Sequence, residues 1–315
     1  MAEVAARLPL EVPWRDAMLE RTIAIRRGRD TDLSIIMEIW YANETADDPQ
    51  PHAPPPILPE YPHLLATGEL WIAEHAGVAL GFAGTVKRGS TVFLTDLFVD
   101  PHHQSSGIGL QLLRQAMAGS ANHIQFTVSS SDVRALALYA RAGMQPQWPH
   151  FLLRVHNPRV EALSQHGMEI LAAHVQDPEL LAWDASVSGR ERPQDLSFWV
   201  EHEGSEAVWI TRNKQRVGYA IVRLGGGTVW QPTAARIGPM GVGSPEHAAD
   251  AIVAVAHWAA QRAKSISVDV LGPHPGLATL LYAGFHITYV ETFMLGGGKP
   301  FFDPRCYNGS GGALF

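Results

Sequence analysis

The chain has 315 residues, 46% of them hydrophobic and 17% charged, which supplies a packed core and excludes an intrinsically disordered chain. Lys and Arg number 24 against 31 Asp and Glu, and the net charge of -7 argues against nucleic acid as a partner. Cys306 is the lone cysteine, so no intramolecular disulfide can form, and no apolar run reaches the about 18 residues of a membrane helix. The opening MAEVAARLPLEVPWRD lacks a basic start followed by a long apolar stretch. No secretory leader and no membrane partner are therefore expected, and the expected location is cytoplasmic.

Residues 1–20 carry Pro9 and Pro13 and little periodicity, and read as an N-terminal arm. A first strand is expected at Thr22–Arg26, then a helix from Asp32 to Tyr41 with Leu33, Ile36, Met37 and Trp40 on one face. The proline-dense stretch 43–62 reads as a loop. Short strands at 70–74 and 80–86 flank a turn at Gly77. Residues 91–99, TVFLTDLFV, are apolar on both alternations apart from Thr95 and Asp96, as in an interior strand covered on both faces. A glycine-containing turn after Pro101 leads into a helix through Ile108, Leu112, Leu113 and Met117. A strand at 123–129, a helix over 131–144 capped by Ser131 or Asp132 and stopped by Gly143, and a strand at 151–156 follow.

The second half has a similar layout. Strands are expected at 207–212, 217–224 and 235–242, a helix from Pro245 to Gln261, a strand at 265–271, a helix at 276–285 and a strand at 286–295. Gly143 follows Val99 by 44 positions, and Gly284 follows Val242 by 42. This spacing points to two copies of one domain, and the expected fold is α/β with a mixed sheet. The GGG runs at 225–227 and 296–298 read as turns, and the linker is expected between His156 and Gly167. Residues 299–315 are glycine-rich yet hold Phe301, Phe302, Tyr307 and Phe315, so this tail is expected to pack partly on the body.

The segment LFVDPHHQSSGIGLQLL carries the chemistry. Glycines let a backbone approach a ligand closely, and the first N–H groups of a helix have no internal partner. A pyrophosphate accepts such hydrogen bonds and meets the positive helix end. Val99, Pro101, Gln104, Gly107 and Gly109 stand at fixed offsets after an apolar strand. This spacing resembles the GNAT acyltransferases, which carry Val-x-Pro-x-x-(Arg/Gln)-x-x-Gly-x-(Gly/Ala) and bind acetyl-CoA there. The later helix is similar to the same family in Asp132, Ala135, Leu138, Tyr139, Gly143 and Met144, with Asp in place of Asn and Met in place of Phe. The resemblance covers residues 22–156.

The resemblance implies roles for individual residues. The strand would bulge at Leu97 and splay from its parallel neighbour, so that pantetheine runs beside Leu97, Phe98 and Val99. The N–H of Leu97 would stabilise the oxyanion. Gln104, Ser105, Ser106, Gly107, Ile108, Gly109 and Leu110 would hold the pyrophosphate, with no charged clamp because Ser106 replaces the Arg or Gly of many relatives. Asp132 would stand beside pantetheine as an acceptor only. Tyr139 is the expected acid that protonates the leaving thiolate; its plain alternative is a core aromatic. Asp96 is the candidate base, although strict alternation puts Thr95 on the face of Leu97 unless a bulge shifts the phase. Trp40 and Glu44 are candidates for the acceptor site, against a core Trp and a solvated Glu. No HExxH or comparable spacing occurs, so no metal is expected.

The second copy lacks these features. Val242 is followed by GSPEHAADAI, in which Glu246 and Asp250 stand where phosphate would come, and Leu280 takes the place of Tyr139. The expectation is two tandem GNAT-like domains: a catalytic one over 21–158 and a degenerate, structural one over 166–298. The function this implies is acetyl-CoA-dependent transfer to a primary amine on a small molecule, by direct attack in a ternary complex. The alternative is an acyl-CoA-binding sensor without transfer. A monomer and a homodimer remain open.

Overall fold

The computed structural model describes residues 23–45, 56–159, 163, 167–201, 205–224, 233–311 and 314–315. The expected arm at 1–20, residues 46–55 of the proline-dense loop and the GGG at 225–227 lie outside these residues. The chain opens with β1 (Ala24–Arg27), α1 (Leu33–Glu44) and α2 (Glu60–Thr67). Three strands follow, β2 (Glu69–His75), β3 (Val78–Arg88) and β4 (Thr91–Val99). Then come α3 (Ile108–Ala116), β5 (Ile124–Ser129), α4 (Val133–Arg141) and β6 (Met144–His156).

The second copy repeats this element for element. It begins with β7 (Met168–Ala172), α5 (Pro178–Ser188) and α6 (Pro193–Glu201), and continues with β8 (Ser205–Arg212), β9 (Gln215–Leu224) and β10 (Ala235–Val242). It ends with α7 (Pro245–Ala260), β11 (Ser265–Leu271), α8 (Gly276–Tyr282) and β12 (His286–Gly296). A short β13 (Tyr307–Asn308) comes last. The helix α2 stands in what reads as loop. Its prolines, Pro59 and Pro62, sit at the N-cap and in the first turn, where a missing N–H costs nothing. The start of α5 follows the same rule, with Asp177 capping the N–H of Glu179 and Pro178 in the first turn.

All strands join in one 13-stranded sheet, ordered β1-β2-β3-β4-β5-β12-β6-β11-β10-β9-β8-β7, with β13 on β10. Only β4/β5 and β10/β11 are parallel among the described pairs. The two last strands insert mutually: β12 lies between β5 and β6 of the first copy, and β6 lies between β11 and β12 of the second. Neither half therefore completes its sheet alone.

One face of the sheet is covered by α1, α2, α5, α6 and the segment after β12, which places Phe302, Tyr307 and Phe315 in the central core. The other face is covered by α3 and α4 in the first copy and by α7 and α8 in the second. The copies are also tied by charge. Asp195 of α6 accepts from Arg88 at the end of β3 (2.6 Å) and bonds His63 of α2 (2.9 Å), and the His63 ring stacks on Phe198 at 4.3 Å.

Candidate active site

The site begins where β4 leaves β5. Their parallel pairing ends at Leu94 and Thr127, and the rest of β4 has no partner on that edge among the described pairs. Asp100 donates its N–H to the Leu80 carbonyl on β3 (2.9 Å). By the alternation of an antiparallel ladder, the N–H groups of Leu97 and Val99 then point away from β3, into the opening. The Val99 carbonyl is engaged by Asn43 (3.1 Å) and Gln104 (3.4 Å), and Gln104 also reaches Asn43 (2.8 Å). These contacts tie the last turn of α1 to the end of β4.

The bulge falls at Thr95, before Leu97, because the β3–β4 register shifts between Gly84↔Asp96 and Thr85↔Leu94. A Cβ on Gly84 would come within 2.5 Å of the Thr95 hydroxyl, so only glycine admits the extra residue opposite it. The bulge turns Thr95 and Asp96 to one face, where Thr95 donates to Asp96 (2.7 Å) and Tyr61 of α2 donates to its other oxygen (3.1 Å). Phe98 then packs with the α1/α2 face, and Leu97 and Val99 with the α3/α4 face. The shift moves Thr95 rather than Asp96: the Asp96 side chain faces α2, on the face opposite the Leu97 side chain.

Electrostatics concentrate at the same place. Burial pushes the Asp96 carboxyl up to about 6, against the hydrogen bonds from Thr95 and Tyr61. The Glu44 side chain reaches solvent at the mouth of the opening. The walls around it still remove enough water to push its carboxyl to about 7, helped by the charges of Glu291 and Asp96. Glu291 belongs to β12 of the second copy, and buried His150 holds it by an Nδ1 contact of 2.9 Å. Trp40, one turn before Glu44 on α1, is half-buried against the core.

The turn into α3 leaves main-chain donors free. Gly107, at φ +88, is the N-cap, a conformation that favours glycine, and Ser105 is also left-handed at φ +62. The first intrahelical bond runs from the Gln111 N–H to the Gly107 carbonyl, so the N–H groups of Ile108, Gly109 and Leu110 have no helical partner. Ser106 turns its hydroxyl back to the His103 carbonyl (2.5 Å). Tyr139 on α4 is buried, and burial, then the charges of Asp96 and Asp132, raise its phenol above the usual range. Asp132 caps α4 through the Arg134 N–H (2.8 Å), and the Arg134 guanidinium holds its carboxyl below the ordinary value. Its oxygens are thus engaged locally.

The structure gathers Asp96, Leu97, Val99, Glu44 and the 105–110 turn around one opening. It adds Tyr61, Asn43 and Glu291, which sequence reading passed over. Tyr61 lay in a stretch read as loop, and nothing local relates Glu291 to residues 141 or more positions earlier. In the second copy, the register Ile237↔Val268 matches Leu94↔Thr127, which sets Pro239 at the place of Asp96. Leu280, at the place of Tyr139, is fully buried, and Tyr282 is 91% exposed. Among the described residues, no cluster of three or more metal-ligating side chains forms and no helix is long and apolar enough to cross a membrane.

A repeated mixed sheet with parting parallel strands defines a tandem GNAT fold, and the comparisons agree. A candidate acetyltransferase from Pyrococcus horikoshii superposes with a TM-score of 0.71 at 14% identity, over 95% of this chain and 98% of that one. A tandem GNAT protein from the clavulanic acid biosynthesis pathway gives 0.60 at 16% identity, over 88% and 100%. A GCN5-related N-acetyltransferase from Sphaerobacter thermophilus gives 0.62 at 14% identity, over 91% and 100%. No curated protein sequence matches the chain. Residues 34–144, which hold the bulge, the turn and Tyr139, match the acetyltransferase (GNAT) family, and the chain carries a domain of that family.

Proposed function

We propose that the protein is an acetyl-CoA-dependent N-acetyltransferase acting on a primary amine of a small molecule. In this reading, residues 21–158 hold the active site and residues 166–298 are a degenerate copy that lends β12 to it. The supporting observation is the pair of inward N–H groups of Leu97 and Val99 beside an unpaired stretch of strand, followed by the free N–H groups of Ile108, Gly109 and Leu110. These donors suit a pantetheine amide and a pyrophosphate.

When bound there, acetyl-CoA supplies an acetyl thioester. The Leu97 N–H stabilises negative charge on its carbonyl oxygen as the amine nitrogen bonds to the carbonyl carbon. Tyr139, kept protonated by its raised phenol, donates a proton to sulfur as the C–S bond breaks. Glu44 is accessible and its carboxyl lies near neutrality, so it takes the proton that the amine must lose. Asp96, enclosed by Tyr61 and Thr95, supplies charge that attracts the ammonium form.

Titration of the full chain with coenzyme A, followed by thiol release over a panel of amines, tests this reading. Binding without thiol release from any amine supports the sensor alternative, which the tied-up Asp132 and Ser106 favour. Absence of coenzyme A binding overturns both.

A further inference from the structure

The second copy parts its parallel strands at the same register as the first, but its opening is filled. Beyond Ile237↔Val268, Met240, Gly241 and Val242 stand where Leu97, Phe98 and Val99 stand in the first copy. Gly243 donates to the Val217 carbonyl on β9 (3.0 Å), as Asp100 does to Leu80 on β3, so the Val242 N–H also points into the opening. It donates there to the Cys306 carbonyl (2.9 Å). Gly241 and Met240 pair antiparallel with Tyr307 and Asn308. On the opposite wall, the Asn308 side chain donates to the Asp269 carbonyl of β11 (3.1 Å). One extended segment thus bridges both parted strands.

The surroundings fit a peptide. Arg236 donates to the Ser310 main-chain oxygen (2.9 Å) while paired with Asp269, and Arg223 donates to the same oxygen. Arg190 and Arg192 reach the Phe315 main-chain oxygen at 2.9 and 2.7 Å. Tyr307, Asn308 and Ser310 are at most 1% exposed. A Cβ on Gly238 would stand 2.3 Å from the Gly309 oxygen, so the cleft wall is shaped to the segment's backbone.

We propose that the parted strands of the second copy form a peptide-binding cleft whose resident ligand is the chain's own segment Cys306–Ser310. The segment holds there the position that the first copy offers to pantetheine. This last comparison rests on the function proposed above; the peptide cleft itself does not. Only one coenzyme A then binds per chain. The mode is strand addition to a free sheet edge, with arginines gripping carbonyls.

Residue-resolved amide exchange on the full chain, with and without coenzyme A, tests this together with binding stoichiometry. Without ligand, the Val242 amide is expected to exchange about 100-fold more slowly than the Val99 amide, since only the first has a partner strand on that edge. Added coenzyme A is expected to slow Val99, leave Val242 and the 306–308 amides unchanged, and saturate at one equivalent. Equal exchange of Val242 and Val99 without ligand overturns the inference. So does a second equivalent of coenzyme A, or faster exchange at 306–308 when it is added. Failure of coenzyme A to bind or to slow Val99 defeats the proposed function alone, because the ligand-free rate at Val242 still decides the peptide cleft.

Discussion

Asp96 and Glu44 share one opening yet sit in unlike surroundings. Asp96 is buried and hydrogen-bonded, with its carboxyl near 6; Glu44 is accessible, with its carboxyl near 7. A base works deprotonated, so kcat/KM is expected to rise with pH through about 6 to 7 and then level off, as a pH–rate profile would record. Glu291 raises the Glu44 carboxyl by like charge, so Glu291→Gln should move the acid limb of that profile to lower pH. A limb that stays in place would separate Glu44 from the proton transfer. Tyr139→Phe removes the proposed donor to sulfur but keeps the ring. It should lower kcat about tenfold or more while coenzyme A affinity changes little, as turnover and calorimetry would show.

At the scale of elements, α2 and α6 are fastened through Asp195. Burial works to raise its carboxyl, but hydrogen bonds from His63 and Arg88 outweigh it and hold the group near 2. A depressed carboxyl adds stability that is complete above its unfolded value of 3.8 and fades as pH falls toward about 2. Asp195→Ala leaves the buried Arg88 guanidinium without its anion, so denaturant unfolding should show a loss of about 3–5 kcal/mol near neutral pH. A loss under about 1 kcal/mol would mean that the contact is merely tolerated. The strand, turn and helix from β4 to α3 were legible beforehand because their signals are local: an apolar run, a proline stop, a left-handed glycine. The helix α2 was hidden because prolines in a first turn look like prolines in a loop. A bulge was expected at Leu97 from the family resemblance; its true position at Thr95 was hidden because the missing Cβ of Gly84, which admits it, lies on another strand.

The whole molecule is one sheet whose halves each lack a strand. Because β12 completes the first copy and β6 the second, residues 21–158 expressed alone should expose unpaired strand edges. They are expected to associate or precipitate, while the full chain unfolds in a single transition by both circular dichroism and tryptophan fluorescence. Two separated transitions would show that the halves fold independently. The repeat itself was visible in the matched spacings of Val99 to Gly143 and Val242 to Gly284, since copies of one fold keep their element lengths.

By itself the sequence determined most of the local elements, though not α2, β7, α5 or α6, together with the duplication and the glycine-containing turn after Val99. Periodicity, caps and glycine positions act over a few residues and survive without knowledge of neighbours. Tertiary structure alone decided that Glu291 faces the first copy's opening, that Tyr61 clasps Asp96, and that the Cys306–Ser310 segment lies between β10 and β11. Each of those outcomes depends on which free strand edge a distant segment covers, and hydrogen-bonding capacity at an edge is the same for any backbone that can reach it.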